Sequence, residues 1–340
     1  MTNGTRRKQD ELPAYVPPKV GILSRIPASW VPYGELMRID KPTGIFLFYF
    51  PHLFGTLYAG LLPGSSQGSP MDLLFTNGIL FFGTVFSRAA ACAWNDILDR
   101  EYDRQVLRCR LRPLARGAIS LTQALGFTFF MTIVCVGFIS ALPLDFAKAA
   151  FPSITLLVLY PLAKRFTDFP QLVLGIQIAL SFFLGIIATG YDFSTFFERT
   201  NATQRNSSLI AMIFFYAANV CWTVVYDTVY AQQDVKDDAK AGVKSMAVRY
   251  RNNARGLLVA VALLQVGFLA ATGFYESLGI SYFSLSCGGT TSAMVWMILT
   301  LDLNSPAECM WWFKNGCWLV GLSITGGLGY ANLLASGRRS

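Results

Sequence analysis

The chain alternates between long apolar runs and short polar segments. Nine runs are long enough, or nearly so, to form membrane-crossing helices: residues 43–62, 73–94, 121–143, 147–163, 171–190, 208–226, 254–275, 279–300 and 316–335. A helix needs about 20 apolar residues to cross the hydrocarbon layer of a bilayer. We therefore predict an all-α integral membrane protein with nine transmembrane helices. The fourth run is short and closely follows the third, so we expect these two to form a tight hairpin.

This pattern predicts one membrane domain between two polar tails: an N-terminal tail with an amphipathic approach at 1–42, the membrane domain at 43–335, and a C-terminal tail at 336–340. The first apolar run begins only near Thr43, and the leader carries Asp10, Glu11 and Glu35. A secretory signal has an early apolar region, and a mitochondrial leader is rich in Arg and poor in acidic residues. We expect neither here.

Composition excludes an ordinary soluble protein. Hydrophobic residues make up 53% of the chain and charged residues 14%, whereas soluble chains are about 25% charged. The seven Cys show no paired spacing, so neither a disulfide framework nor a zinc site is indicated. The lone His52 falls in the first apolar run, where packing in the core is the simplest interpretation.

The basic residues indicate the orientation in the membrane. If nine helices alternate in direction, 21 of the 28 Lys and Arg fall on the side of the N-terminal tail. The positive-inside rule places that side in the cytosol. The glycosylation triplets that begin at Asn201 and Asn206 then lie on the opposite, lumenal side, whereas the one at Asn3 would be cytosolic and unused.

An acidic segment follows the second run. It carries Asn95, Asp96, Asp99 and Asp103. These spacings of three and four residues place one amide and three carboxylates on one face of a helix.

A second acidic segment follows the sixth run. Asp227, Asp234 and Asp238 are spaced by seven and four residues and also share a helical face, whereas Asp237 points elsewhere as a solvated charge. Four helices separate the two segments, so both end on the same side of the membrane.

Grouped carboxylates beside hydrocarbon repel one another and are costly. Mg²⁺ removes that repulsion, and it is usually held by one or two carboxylates together with substrate phosphates. Basic residues accompany both segments and suit phosphate oxygens: Arg104, Arg108, Arg110, Arg112, Arg116, Lys236, Lys240 and Lys244. The alternative is an ordinary charge run at the membrane surface. Two segments with matching helical spacing favour a clamp for magnesium and a diphosphate.

Such a site suits the ionisation of an allylic diphosphate. Mg²⁺ neutralises the charge that develops on the leaving group, and Lys and Arg donate to the same oxygens. An apolar cavity would shield the resulting carbocation from water, and an electron-rich aromatic ring would attack it. A lateral opening would let an apolar prenyl tail enter from the bilayer.

The motifs resemble the UbiA-type intramembrane aromatic prenyltransferases. Asn95, Asp96, Asp99 and Asp103 match the family's first acidic pattern, and Asp234 with Asp238, preceded by Asp227, matches its second. Further matches lie at residues 38–44, 108–115, 160–165, 170–175 and 242–245, with Cys109 where Thr is commoner. The resemblance covers about residues 35 to 335 and implies nine helices around a central cavity.

The resemblance also implies residue roles. Catalysis would fall to Asp96, Asp99, Asp234, Asp238 and Tyr160, and Mg²⁺ would be held through the diphosphate by Asn95, Asp96, Asp99, Asp103, Asp227, Asp234 and Asp238. The diphosphate would contact Arg108, Arg112, Lys164 and Lys244. Arg88 is the candidate for the acceptor pocket, and snorkelling or a structural ion pair is its alternative.

Within the family the chain is most similar to fungal enzymes of meroterpenoid pathways. This implies farnesyl diphosphate as donor and a phenolic acid such as 3,5-dimethylorsellinic acid as acceptor, with a pyrone as another choice. It also implies an endoplasmic reticulum or related membrane with the active site facing the cytosol, and neither nucleic acid nor an obligate protein partner. Alternatives are a mitochondrial 4-hydroxybenzoate polyprenyltransferase of ubiquinone synthesis, a terpene cyclase and an ion-coupled secondary transporter.

Overall fold

A computed structural model describes residues 15–65 and 69–337. The α-helices are α1 Val31–Leu36, α2 Thr43–Ala59, α3 Pro70–Asp103, α4 Leu121–Ile139, α5 Leu144–Phe166, α6 Pro170–Ala179, α7 Ser181–Ala188, α8 Phe193–Arg199, α9 Ala202–Ala231, α10 Val235–Ala241, α11 Met246–Arg249, α12 Ala254–Tyr275, α13 Ile280–Tyr282, α14 Gly289–Thr300 and α15 Pro306–Gly337. The Asn3 triplet, Asp10, Glu11 and the last three residues lie outside the described part.

The structure confirms the predicted all-α membrane protein, and helices correspond to seven of the nine predicted spans. Within the described residues, seven helices are long and apolar enough to cross a membrane: Pro70–Asp103, Leu121–Ile139, Leu144–Phe166, Pro170–Ala188, Ala202–Ala241, Ala254–Tyr275 and Pro306–Gly337. The first predicted span is the 17-residue helix α2. The eighth is helical but interrupted by a π-helical segment at Phe283–Gly288. That these two also cross the membrane stays a prediction.

The core of the bundle is aromatic and lies around α2. Phe50, Phe54 and Tyr58 of α2 are buried with Phe182 and Trp222 from α7 and α9. The backbones of α2 and α7 approach so closely that a Cβ atom at Gly55 or Gly185 would lie 2.0 or 2.1 Å from a carbonyl oxygen of the other helix. Glycine is required there because it alone has no Cβ atom. α2 is therefore an interior helix.

The outer surface of the bundle is apolar. α4 exposes large hydrophobic side chains along its length: Leu121, Leu125, Phe129, Phe130, Ile133 and Val136. Monomeric soluble proteins rarely expose continuous apolar surface of this extent. This surface is suited to contact with lipid acyl chains.

The connection between α4 and α5 is the predicted tight turn. It consists of the four residues 140–143, between the end of α4 and the start of α5. The two helices do not pair closely, however, because α4 packs mainly on α3 and α5 packs mainly on α6. The predicted short turn between these helices is therefore present, whereas the predicted packing of α4 against α5 is wrong.

The two acidic segments differ in regularity. α3 continues without a break to Asp103, so the first segment occupies its last turns as predicted. The second segment is not one regular helix, because a 3-10 turn at Gln232–Asp234 separates α9 from α10. A 3-10 turn has three residues per turn rather than 3.6, so one regular helix through Asp227, Asp234 and Asp238 is not formed, although all three residues line the same cavity. α10 then ends at Gly242, whose φ is 72°.

Candidate active site

A cavity of about 270 Å³ opens at the end of the bundle where α3 and α9 finish. Apolar side chains form one part of its wall: Leu47, Phe48, Leu157, Leu174 and Ile178. Most of the predicted site residues form the polar part: Arg88, Asn95, Asp103, Arg108, Arg112, Tyr160, Lys164, Asp227, Asp234, Asp238 and Lys244. The fold thus brings both acidic segments and the predicted cations to one cavity.

The carboxylates of the first segment are deeply buried and paired with cations. Asp96 and Asp99 are 1% and 0% exposed. Asp96 Oδ1 accepts from Arg38 Nη2 at 2.8 Å and from Arg112 Nη1 at 3.1 Å. The same Arg112 nitrogen donates to both oxygens of Asp103, at 3.0 and 2.8 Å. Lys164 Nζ forms an ion pair with Asp99 Oδ2.

The second segment is joined to the loop that follows α3. Arg108 Nε donates to Asp234 Oδ1 at 2.9 Å, and its Nη2 also pairs with this carboxylate. Arg108 Nη1 donates to the Tyr230 hydroxyl at 2.7 Å. The guanidinium carbon lies 4.8 Å from the centre of the Tyr230 ring. Arg108 therefore joins the loop after α3 directly to the second acidic segment.

The guanidinium groups in this loop carry permanent charges. Burial lowers the pKa of Arg112, but Asp96 and other neighbours raise it by more, so it lies well above its ordinary value. Burial also lowers the pKa of Arg108, but its hydrogen bond to Asp234 and the neighbouring Tyr230, Cys109 and Asp234 charges together raise it by more, so it too lies above its ordinary value. Both side chains are thus cations at any pH at which the protein is folded, as a phosphate-binding group must be.

The donor set fits Mg²⁺ held together with phosphate oxygens. The candidate ligands are all carboxylate or amide oxygens, which Mg²⁺ prefers. Asp99 Oδ1 is buried without a hydrogen-bond partner. In residues 15–65 and 69–337, no three His, Cys, Asp or Glu side chains group closely enough to hold a metal by themselves. Mg²⁺ sites of this kind use only one or two carboxylates and complete the shell with phosphates and water.

The other predicted residues differ in their surroundings. Arg88 is 7% exposed, and its guanidinium lies against Gly44 and within 3.4 Å of the carbonyl oxygens of Met37 and Lys41. Tyr160 and Lys164 share a cavity-facing side of α5, as their spacing predicted. The backbone amide of Lys244 donates to the carbonyl of Lys164 at 3.1 Å.

Three residues at the site had no role in the sequence interpretation. Arg38 reaches Asp96 from the segment before α2, with a backbone φ of 56° that is uncommon for a non-glycine residue. Tyr230 lies three residues after Asp227 and four before Asp234, so its helical spacing could have revealed it. Asp237, expected as a solvated charge, instead accepts a hydrogen bond of 3.2 Å from the Leu107 amide.

The glycosylation candidates lie at the other end of α9. Asn201 is the N-cap of this helix, and its Oδ1 accepts from the Gln204 amide at 2.8 Å. Asn206 is exposed within the first turns. Asp227 is 21 residues beyond Asn206 on the same helix, which corresponds to roughly 30 Å at 1.5 Å per residue. Their modification stays a prediction.

Comparison with known proteins decides the family. A sequence model described as the UbiA prenyltransferase family matches residues 48–321. The chain belongs to this family. It is therefore an enzyme, and the predicted class of aromatic prenyltransferase is confirmed.

Relatives of the UbiA chain include fungal enzymes, as expected. It is 36% identical over 291 residues to prenyltransferase ascA of Acremonium egyptiacum, covering 85% of this chain and 82% of the relative. It is 36% identical over 313 residues to DMOA farnesyltransferase nvfB of Aspergillus novofumigatus, covering 89% and 93%. It is also 33% identical over 305 residues to the mitochondrial 4-hydroxybenzoate polyprenyltransferase of Saccharomyces cerevisiae, covering 89% and 77%.

The fold matches solved UbiA structures. A UbiA homolog from Archaeoglobus fulgidus bound to GPP and Mg²⁺ superposes with a TM-score of 0.61, covering 89% of this chain and 99% of the other. Sequence identity is only 19%, so this likeness establishes the fold alone.

Proposed function

We propose that this protein transfers a farnesyl group from farnesyl diphosphate to a polyketide-derived phenolic acid, such as 3,5-dimethylorsellinic acid, in a Mg²⁺-dependent reaction. The observation that carries the proposal is the cavity in which two acidic segments, several cations and an apolar wall meet. The charged part suits a diphosphate and the apolar part suits a prenyl chain.

The basic side chains would hold the diphosphate. Arg108, Lys164 and Lys244 line the cavity together and offer donors to phosphate oxygens. Bound Mg²⁺ would supply charge neutralisation on those oxygens as the allylic C–O bond breaks. Asn95, Asp103, Asp227, Asp234 and Asp238 line the same cavity and would hold the ion. Asp96 and Asp99 are buried in the same segment of α3 and do not line the cavity; they would act with these ligands.

The apolar wall would protect the electrophile. Phe48, Leu157 and Leu174 form an apolar part of the cavity wall that would limit the access of water to the carbocation. The acceptor ring would attack the allylic carbon as the C–O bond to the diphosphate breaks, and the ring proton would then pass to the released diphosphate. Arg88, buried beside Gly44, would orient the acceptor through its carboxylate. The Tyr160 hydroxyl would lie close to the diphosphate beside Lys164.

The fungal relative named DMOA farnesyltransferase supports this donor and acceptor. The yeast relative supports a second candidate, the transfer of a longer polyprenyl chain to 4-hydroxybenzoate in mitochondria. The similarity to the fungal farnesyltransferase favours the first, and we propose an endoplasmic reticulum or related membrane with an active site facing the cytosol. Membership of a prenyltransferase family sets the transporter alternative aside.

An assay in microsomes that contain this chain tests the proposal. Farnesyl, geranyl and geranylgeranyl diphosphates are supplied with Mg²⁺ and a panel of phenolic acids and pyrones, with and without EDTA, and products are identified by mass spectrometry. We expect farnesylated dimethylorsellinic acid, and none with EDTA. Prenylated 4-hydroxybenzoate alone would favour the second candidate. A hydrocarbon or alcohol formed without acceptor would indicate a cyclase and contradict the proposal.

A further inference from the structure

The loop between α3 and α4, residues 104–118, is here named the basic loop. It carries Arg108, which bonds Asp234, and Arg112, which bonds Asp96 and Asp103. The loop contains no α-helix or strand of its own. Its position therefore depends on what holds it from outside.

Three side chains hold the C-terminal end of the basic loop. Arg116 Nη2 donates to Glu35 Oε2 at 2.6 Å, and Arg116 Nη1 donates to the Leu111 carbonyl at 2.5 Å. The Tyr15 hydroxyl donates to Glu35 Oε1 at 2.7 Å. The Arg116 guanidinium carbon also lies 3.8 Å from the centre of the Tyr15 ring. Arg116 and Glu35 are only 13% and 15% exposed, so solvent screens this pair weakly.

An apolar cluster lies beside these side chains. It joins α1 to the basic loop, to the first residues after it and to the adjoining helices through Leu36, Ala93, Leu114, Ile119 and Ala124. Leu36 and Leu114 are 0% and 1% exposed. Residues 15–36, here named the N-terminal strap, thus contact the basic loop through both polar and apolar groups.

We propose that the N-terminal strap positions the basic loop over the cavity, with Glu35 as a positioning residue that acts through Arg116. Because Arg116 also binds the Leu111 carbonyl, it fixes the backbone next to Arg112. Tyr15 completes the arrangement by binding the second Glu35 oxygen and stacking on Arg116. Tyr15, Glu35 and Arg116 are not among the residues that line the cavity, so their effect is on the placement of Arg108 and Arg112. The kinetic consequence rests on the proposed diphosphate role of those two residues.

Tryptic cleavage of the purified protein tests the positioning directly. The basic loop contains Arg104, Arg108, Arg110 and Arg116 as cleavage points, and Glu35→Gln leaves all of them intact. We expect this variant to be cut within residues 104–118 about tenfold faster than the wild type, the factor expected for losing a partly buried charge-assisted hydrogen bond. Asp145→Asn, which breaks an exposed pair with Lys148 in another part of the molecule, should be cut at the wild-type rate.

Enzyme kinetics and a charge exchange complete the test. Glu35→Gln should raise the KM for farnesyl diphosphate about tenfold with a smaller change in kcat, since ground-state placement of the phosphate-binding groups is lost. Glu35→Arg and Arg116→Glu should each behave worse than Glu35→Gln, and the double exchange should recover protection at Arg104, Arg108 and Arg110, the cleavage points that all of these variants keep. Wild-type cleavage rates in Glu35→Gln, or a double exchange no better than either single, would overturn the proposal. Because trypsin reports on the loop without any substrate, this outcome is separate from a failure of the proposed reaction.

Discussion

The ion pair between Asp99 and Lys164 contains the most deeply buried carboxylate of the site. Asp99 is fully buried, and the Lys164 side chain is 24% exposed. A buried pair of this kind adds little net stability, but removing one partner leaves an uncompensated charge in an apolar environment. We therefore expect the pair to contribute to the site more than to the stability of the fold. The effect on stability of replacing Lys164 should depend on whether Asp99 is present.

A double-mutant cycle tests that dependence. Lys164→Met should lower the free energy of unfolding by about 3 kcal/mol, because it leaves the Asp99 carboxylate buried and unpaired. Adding Asp99→Asn should restore most of this loss while turnover stays absent. Thermal unfolding in detergent micelles measures both changes. A double variant as unstable as Lys164→Met alone would show that the two side chains are not coupled.

At the scale of elements, the site depends on how closely α2 approaches α7. Gly55 and Gly185 allow the two backbones to come within a distance that a Cβ atom would forbid. α2 in turn carries Leu47 and Phe48 of the cavity wall. The approach of these two helices thus helps to define the apolar part of the cavity.

Gly185→Ala should destabilise the protein. Its Cβ atom would lie 2.1 Å from the His52 carbonyl oxygen, so the helices must separate at a cost of about 2 kcal/mol. Gly126→Ala is the matched control, because Gly126 lies in exposed α4 with open space around its Cβ position. The control should gain about 0.5 kcal/mol from helix propensity. Equal melting temperatures for the two variants would contradict the close approach.

The second acidic segment departs from the regular helix that its spacing implied. The sequence placed Asp227, Asp234 and Asp238 on one face by counting 3.6 residues per turn. The 3-10 turn before α10 changes that count, yet all three still line the cavity. No Pro or Gly in this stretch signals the change, so periodicity alone could not have predicted it.

At the scale of the whole molecule, the sequence predicted the membrane setting and the acidic segments, and the fold brings these segments to one cavity. Apolar run length and charge spacing are local properties that a chain displays directly. Contacts between residues that are far apart in the sequence could not be predicted from these local properties. Arg38 binds Asp96 from 58 residues away. Tyr15 binds Glu35, and Glu35 binds Arg116. These residues meet only because the helices pack together in the folded chain.

The central claim is that both acidic segments hold one Mg²⁺-diphosphate. The most direct test measures binding of a non-ionising farnesyl diphosphate analogue to purified wild-type, Asp96→Asn, Asp234→Asn and Asp145→Asn proteins, with Mg²⁺ or EDTA. We expect tight binding only with Mg²⁺ in the wild type and in Asp145→Asn. Each of the other two variants should bind at least about 100-fold more weakly, the scale of a lost charged contact of about 3 kcal/mol. Unchanged Mg²⁺-dependent affinity in either Asp96→Asn or Asp234→Asn would contradict the claim.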